Sequence, residues 1–222
     1  MASPKGLGKG LGALLGDFNE EPQEKSAYRL LPLHKVEPNP DQPRRDFDEN
    51  ELQALADDLF NHPEQGYYEY RTARVVSGFL KKLGLETREG LAITGLKAAI
   101  GKGGGPNVAL IGELDAVGCA SHPCASAKGF AHACGHYAQI TCILGAALAL
   151  SDPEVAAALD GTATIFAVPA EEFQDASVKD ALDPKHDIHC MGGKCELLRR
   201  GDFDEIDLSI TTHSLMVDRD CD

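Results

Sequence analysis

A chain of 222 residues, 43% of them hydrophobic, has room for one large domain or for one domain and an arm. Aromatics are only 6% and Trp is absent, so the core must be built from Ala, Leu, Val and Ile. A formal charge of −14 repels phosphate backbones and argues against nucleic-acid binding by the whole protein.

Residues 1–27 are rich in Gly, Lys, Glu and Ser without periodicity, which predicts a mobile arm. The apolar run Leu11 to Leu15 is too short for a membrane span, and no cleavage pattern follows it. Leu30 to Val36 reads as a short strand. Pro38, Pro40 and Pro43 then exclude helix. Asp48 with Glu51 three positions on fits a capping-box helix start, and Leu52, Leu55, Ala56, Leu59 and Phe60 follow at helical spacing. After the turn Asn61 to Gly66, the stripe Thr72, Val75, Val76, Phe79, Leu80 and Leu83 predicts a second helix stopped by Gly84.

Two short strands are expected around Gly90 to Gly95, and a glycine-rich connection over Lys102 to Pro106. Val108 to Ile111 reads as a buried strand ending at Gly112-Glu113-Leu114-Asp115. A helix from about His136 should bury Ile140, Ile143, Leu144, Ala147 and Leu148. Ala163 to Val168 is a further strand, Glu196 to Arg200 a helix, and Ile206 to Thr211 a last strand. Alternating strands and helices from residue 67 imply an α/β sheet covered by helices. Asp115, Glu171, Glu172 and His213 fall at the carboxyl ends of predicted strands, the edge where open α/β sheets bind ligands.

The string His132-Ala133-Cys134-Gly135-His136, followed later by Pro169-Ala170-Glu171-Glu172, gathers a thiolate, imidazoles and two carboxylates. Cys134 and His136 sit two apart on a turn, where both can converge on one ion, and zinc accepts such a mixed set. Taken alone, Cys134 reads equally as a small buried residue. Of the glutamate pair, one can bind metal while the other moves protons; a solvated loop pair is the bland alternative. Asp115 reads either as a carboxylate orienting a ligand or as a turn cap, and His213 either as a ligand or as polar surface. Cys119 with Cys124, and His189-Cys190 with Cys195, fit a structural metal poorly and read as free thiols. Seven cysteines without a secretion signal point to a reduced, cytoplasmic, soluble protein.

From about residue 55 onward the sequence resembles the metal-dependent amidohydrolases related to aminoacylase, bacterial aminobenzoyl-glutamate hydrolase and plant hydrolases of auxin–amino-acid conjugates. The resemblance runs through Asn61-His62-Pro63-Glu64, Gly112 to Val117, His132 to His136, Pro169 to Glu172, Gly192-Gly193-Lys194 and Thr212-His213. It implies a zinc-exopeptidase-like α/β domain, helices on both faces of the sheet, with an inserted lid or dimerisation domain. It implies two divalent metal ions, zinc first, manganese or cobalt as alternatives. Cys134, His136, Glu172 and His213 match its metal ligands, Glu171 its general base, and Asp115 its early strand-end acid. Tyr137 departs from the Asp or Asn expected there. The implied chemistry is hydrolysis of an amide in an N-acyl amino acid, an aminobenzoyl-glutamate-like or a dipeptide-like substrate. Asp222 precedes the lid and a last metal-binding His of that pattern, so the expectation is an incomplete sheet and impaired turnover.

Residues 1 to about 58 resemble a second family, the ParB-type partition proteins. The resemblance rests on Lys5 to Gly16, Leu31-Pro32-Leu33, Pro38-Asn39-Pro40, Gln42 to Arg45 and Phe47-Asp48. It implies an arm, 1–27, that contacts a ParA-like ATPase, and a partial nucleotide-domain segment, 28–58, ahead of hydrolase-like residues 59–222. The DNA reader of that family has no counterpart in the sequence.

Overall fold

The structure, a computed structural model, describes residues 49–172 and 174–214. The expected arm, the strand at Leu30, the proline turn and Asp48 lie outside them. The chain order is α1 (Glu49–Phe60), α2 (Tyr70–Lys82), β1 (Thr87–Leu91), β2 (Gly95–Gly101), β3 (Asn107–Glu113), β4 (Val117–Gly118), β5 (Phe130–Ala131), α3 (His136–Leu150), α4 (Pro153–Ala158), β6 (Thr162–Val168), α5 (Ala176–His186), α6 (Gly193–Arg199) and β7 (Leu208–Thr211).

Five strands form one mixed sheet in the order β1-β2-β6-β3-β7. β1 and β2 form an antiparallel hairpin, and β2 lies antiparallel to β6. β3 runs parallel to both β6 and β7, with Glu113 opposite Val168 and Ile111 opposite Thr211. The carboxyl ends of β3, β6 and β7 therefore open on one edge.

Alternation along β6 divides the core. Ile165 and Ala167 face a layer built by Leu59 of α1, Val76 and Leu80 of α2, and Ile140, Leu144 and Ala147 of α3. Phe166 and Val168 face the opposite layer, with Leu182 of α5 and Leu197 of α6. Helices thus cover both faces, as a buried sheet with parallel strands requires. α1 packs Leu52, Leu55 and Leu59 on this first layer. The Glu64 carboxylate caps α2, accepting from the backbone of Arg71 at 3.1 Å and Thr72 at 2.7 Å.

Several elements differ from expectation. α6 starts at Gly193, earlier than Glu196, and β7 starts at Leu208. Leu148 is half-buried and packs at the margin of the first layer. Three features carried no sequence prediction: the short hairpin β4–β5, α4 and α5. α4 begins at a local signal, Asp152 accepting from Glu154 N and Val155 N with Pro153 in the first turn. Among the described residues β7 is one of the sheet's two edge strands, and all four of its residues are exposed, Leu208 and Ile210 included.

Leu144 is fully buried between α3 and the sheet. Leu144→Ala should lower unfolding free energy by about 2–5 kcal/mol, read as a shift in urea midpoint at constant slope.

Candidate metal centre

The string from His132 to His136 leaves β5 and enters α3 through Gly135. Gly135 has φ +94°, and a Cβ there would stand 2.4 Å from Ser214 Oγ, so only glycine fits. This turn presents Cys134 outward and His136 inward. His136 is 1% exposed; its Nδ1 lies 2.9 Å from the Asp115 carbonyl oxygen and its Nε2 2.9 Å from Glu113 Oε2. Glu171 Oε2 and Glu172 Oε1 stand 3.7 and 3.9 Å from the same Nε2. Cys134 Sγ lies 3.2 Å from His213 Nε2, and the rings of His136 and His213 meet edge to face at 5.9 Å.

All six residues singled out from the sequence meet at the carboxyl edge of β3, β6 and β7. Asp115, fully buried, accepts from Glu172 N at 2.9 Å and so ties the glutamate pair to the end of β3. Gln139 of α3 accepts from Glu113 N at 2.7 Å and donates to Thr212 O at 2.6 Å, linking β3 to the end of β7. Tyr137 packs against Phe60 at 5.0 Å and over His132 at 5.7 Å. His132 is buried, and burial first, with the neighbouring His136 charge, holds its pKa down to about 4.

Two further residues join the site. Glu113, at the end of β3, is two positions from Asp115, and strand alternation was the signal that both carboxylates share a side. Lys194, in the first turn of α6, is hydrogen-bonded to Glu113 Oε1 and stands 3.6 Å from Glu171 Oε1. Sequence reasoning matched the Gly-Gly-Lys string without giving the lysine a task.

The loop carrying the two glutamates is pinned from three sides. Ala170 has φ +46°, a strained value for a residue with a side chain. Its N–H donates to Glu69 Oε1 at 2.7 Å and its carbonyl accepts from Gly193 N at 2.8 Å. A Cβ on Gly193 would lie 1.9 Å from the Pro169 carbonyl oxygen, so α6 starts directly against this loop.

The electrostatics favour a cation. Burial alone would depress His136, but the carboxylates of Asp115 and Glu113 raise it to about 10. Burial pushes Glu113 up, yet His136 and Lys194 hold it down at about 2. Burial first, then the carboxylates of Glu172, Glu171 and Glu113, push the Cys134 thiol up to about 12. Four buried polar atoms face one another here: His136 Nε2 stands 2.9 Å from Glu113 Oε2 and 3.9 Å from Glu172 Oε1, and Asp115 Oδ1 stands 3.3 Å from Nδ1 of the same ring. Three carboxylates around one imidazole leave negative charge in excess, and a divalent ion would balance it while stabilising the thiolate. Two triads place one donor atom per residue within 4.8 Å of each other: Cys134, His136 and His213, and Glu113, His136 and Glu171.

The fold and these donors together resemble the metal-dependent amidohydrolases and peptidases of the M20 family. The chain is similar to the Bacillus subtilis YXEP protein, a dinuclear metal-binding peptidase of that family. The TM-score is 0.59 at 26% identity, covering 75% of this chain and 43% of that one. A stretch of 125 residues is 36% identical to IAA-amino acid hydrolase ILR1-like 6 of Arabidopsis thaliana, covering 54% of this chain and 26% of the relative. The chain spans about a quarter of the length of the curated plant relatives it matches. A stretch of 62 residues is 39% identical to the chromosome-partitioning protein ParB of Rickettsia prowazekii, covering 28% of this chain and 21% of the relative. No protein-family model matches the chain. No helix among the described residues is long and apolar enough to cross a membrane.

Glu69 gives the site a measurable pH signature. It is fully buried, and burial first, then the nearby Asp115 charge, raise its pKa from 4.5 to about 8. Ionisation of Glu69 therefore disfavours the folded chain: its contribution to stability is fully present below 4.5 and is lost as pH rises through about 8. Glu69→Gln should flatten that decline in denaturation midpoints measured across this range.

Proposed function

We propose that residues 59–222 form part of a metal-dependent amidohydrolase acting on a small amide: an N-acyl amino acid, an aminobenzoyl-glutamate-like compound or a dipeptide. The observation that carries this reading is the convergence of thiol, imidazole and carboxylate donors beside Glu171, which lies partly open to solvent. Cys134, His136, Glu172 and His213 would hold the metal, and a thiolate donor favours zinc over manganese or cobalt. When bound, the ion polarises an amide carbonyl and acidifies a water.

The chain's own residues supply the rest. Glu171, its side chain 35% exposed, accepts the water's proton and returns it to the leaving amine. Asp115 fixes the His136 ring through its carbonyl and the glutamate loop through its carboxylate. The six free cysteines of the described residues fit a reducing, cytoplasmic setting.

Purified chain is expected to bind zinc, and Cys134→Ser to lose tight binding. Glu171→Gln should keep the zinc while hydrolysis of an N-acyl amino acid falls by about 10²–10⁴-fold. A chain that binds no zinc, or a Glu171→Gln variant as active as the parent, would refute the assignment.

The identity with ParB supports a second reading for the other end of the chain. Residues 1–27 would form an arm that contacts a ParA-like ATPase, with 28–58 a partial partition-protein segment. A peptide of residues 1–25 should then stimulate such an ATPase, and the same peptide with Lys5 and Lys9 replaced by Glu should not.

A further inference from the structure

The two donor triads share one nitrogen. His136 Nδ1 already faces the Asp115 carbonyl at 2.9 Å, so only Nε2 remains to give. An ion that takes Nε2 together with Cys134 and His213 leaves the other triad with two carboxylates, Glu113 and Glu171. Those two carboxylates already share a cation that belongs to the chain. The Lys194 ammonium is bonded to Glu113 Oε1 and stands 3.6 Å from Glu171 Oε1.

Both halves of this arrangement are fixed. The Glu113 side chain is 4% exposed and held at the end of β3. The backbone of Lys194 is held by the Gly193 N–H bond to Ala170 O and by the close approach of Gly193 to Pro169. The lysine stem, its side chain 37% exposed, has room to move toward solvent, while Glu171 is 35% exposed. A divalent ion brought to Glu113 and Glu171 would stand beside this ammonium in a partly desolvated site, where like charges repel strongly.

We infer that Lys194 is a built-in counter-ion occupying the second of two cation positions, so that this chain holds one divalent ion tightly and admits another only when the lysine swings out. The inference rests on the metal-centre reading above and adds how many ions the site loads. Lys194 is a positioning residue here: it sets the occupancy around Glu113 and Glu171. Its departure toward solvent breaks no covalent bond and needs no co-reactant.

The test is metal stoichiometry on the full chain, by elemental analysis and chelator competition with Zn²⁺ or Mn²⁺ alone. The parent chain should bind one ion tightly and a second far more weakly. Lys194→Met should tighten the second ion by about 10–100-fold and leave the first unchanged. Lys194→Arg, which keeps the charge, should leave the second site weak. Lysine labelling on the unmutated chain gives an independent readout: Lys194 should be labelled faster once the second ion is forced in. Two equally tight ions in the parent, an unchanged second site in Lys194→Met, or labelling indifferent to the second ion would overturn this inference alone. Absence of any binding in the parent, or first-ion affinity untouched by Cys134→Ser, would overturn the metal-centre reading and this inference with it.

Discussion

Carboxylates gathered at a buried edge repel one another, and much of the site answers that repulsion. Glu113, Asp115, Glu171 and Glu172 converge within reach of one imidazole. In water such a group would disperse; here the parallel strands and the start of α3 hold it together. The chain supplies two positive groups of its own, His136 and Lys194, against these four carboxylates. Such an arrangement suits a cation site: repulsion is accepted on folding and would be relieved by a bound cation.

Holding that edge together is the work of backbone contacts as much as side chains. Glu69, before α2, reaches Ala170 N; Asp115, after β3, reaches Glu172 N; Gly193, opening α6, reaches Ala170 O. These three anchors come from distant parts of the chain. They make the glutamate pair a rigid feature even though it lies in a loop, and they explain how a non-glycine residue keeps a positive φ at 170. A side-chain constellation of this kind depends on supports well away from its own polar atoms.

What could be read from sequence follows the range of the forces involved. The apolar runs of β3 and β6 and the stripe of α3 are local patterns, so their positions and burial were legible. The strand-end placement of Asp115, Glu171, Glu172 and His213 followed from them. The helix over Ala176–His186 was not legible, because Pro184 within it argues locally against helix while Leu182 packs it onto the sheet. The hairpin of Val117 and Ala131 is too short to carry a period. Lys194 and Glu113 are 81 positions apart, and no local rule pairs them. The Gly-Gly preceding the lysine hinted only at a close backbone approach, which Gly193 makes against Pro169.

The outer strand β7 has a practical side. Among the described residues its backbone groups on one flank have no strand beside them, and Leu208 and Ile210 are exposed. Nature usually guards such a border with lysine, proline or a bulge, and the Leu208–Thr211 segment has none of these. Concentrated stocks of this polypeptide are therefore inclined to stick border to border, and dilute storage or a soluble fusion partner would favour keeping the copies apart.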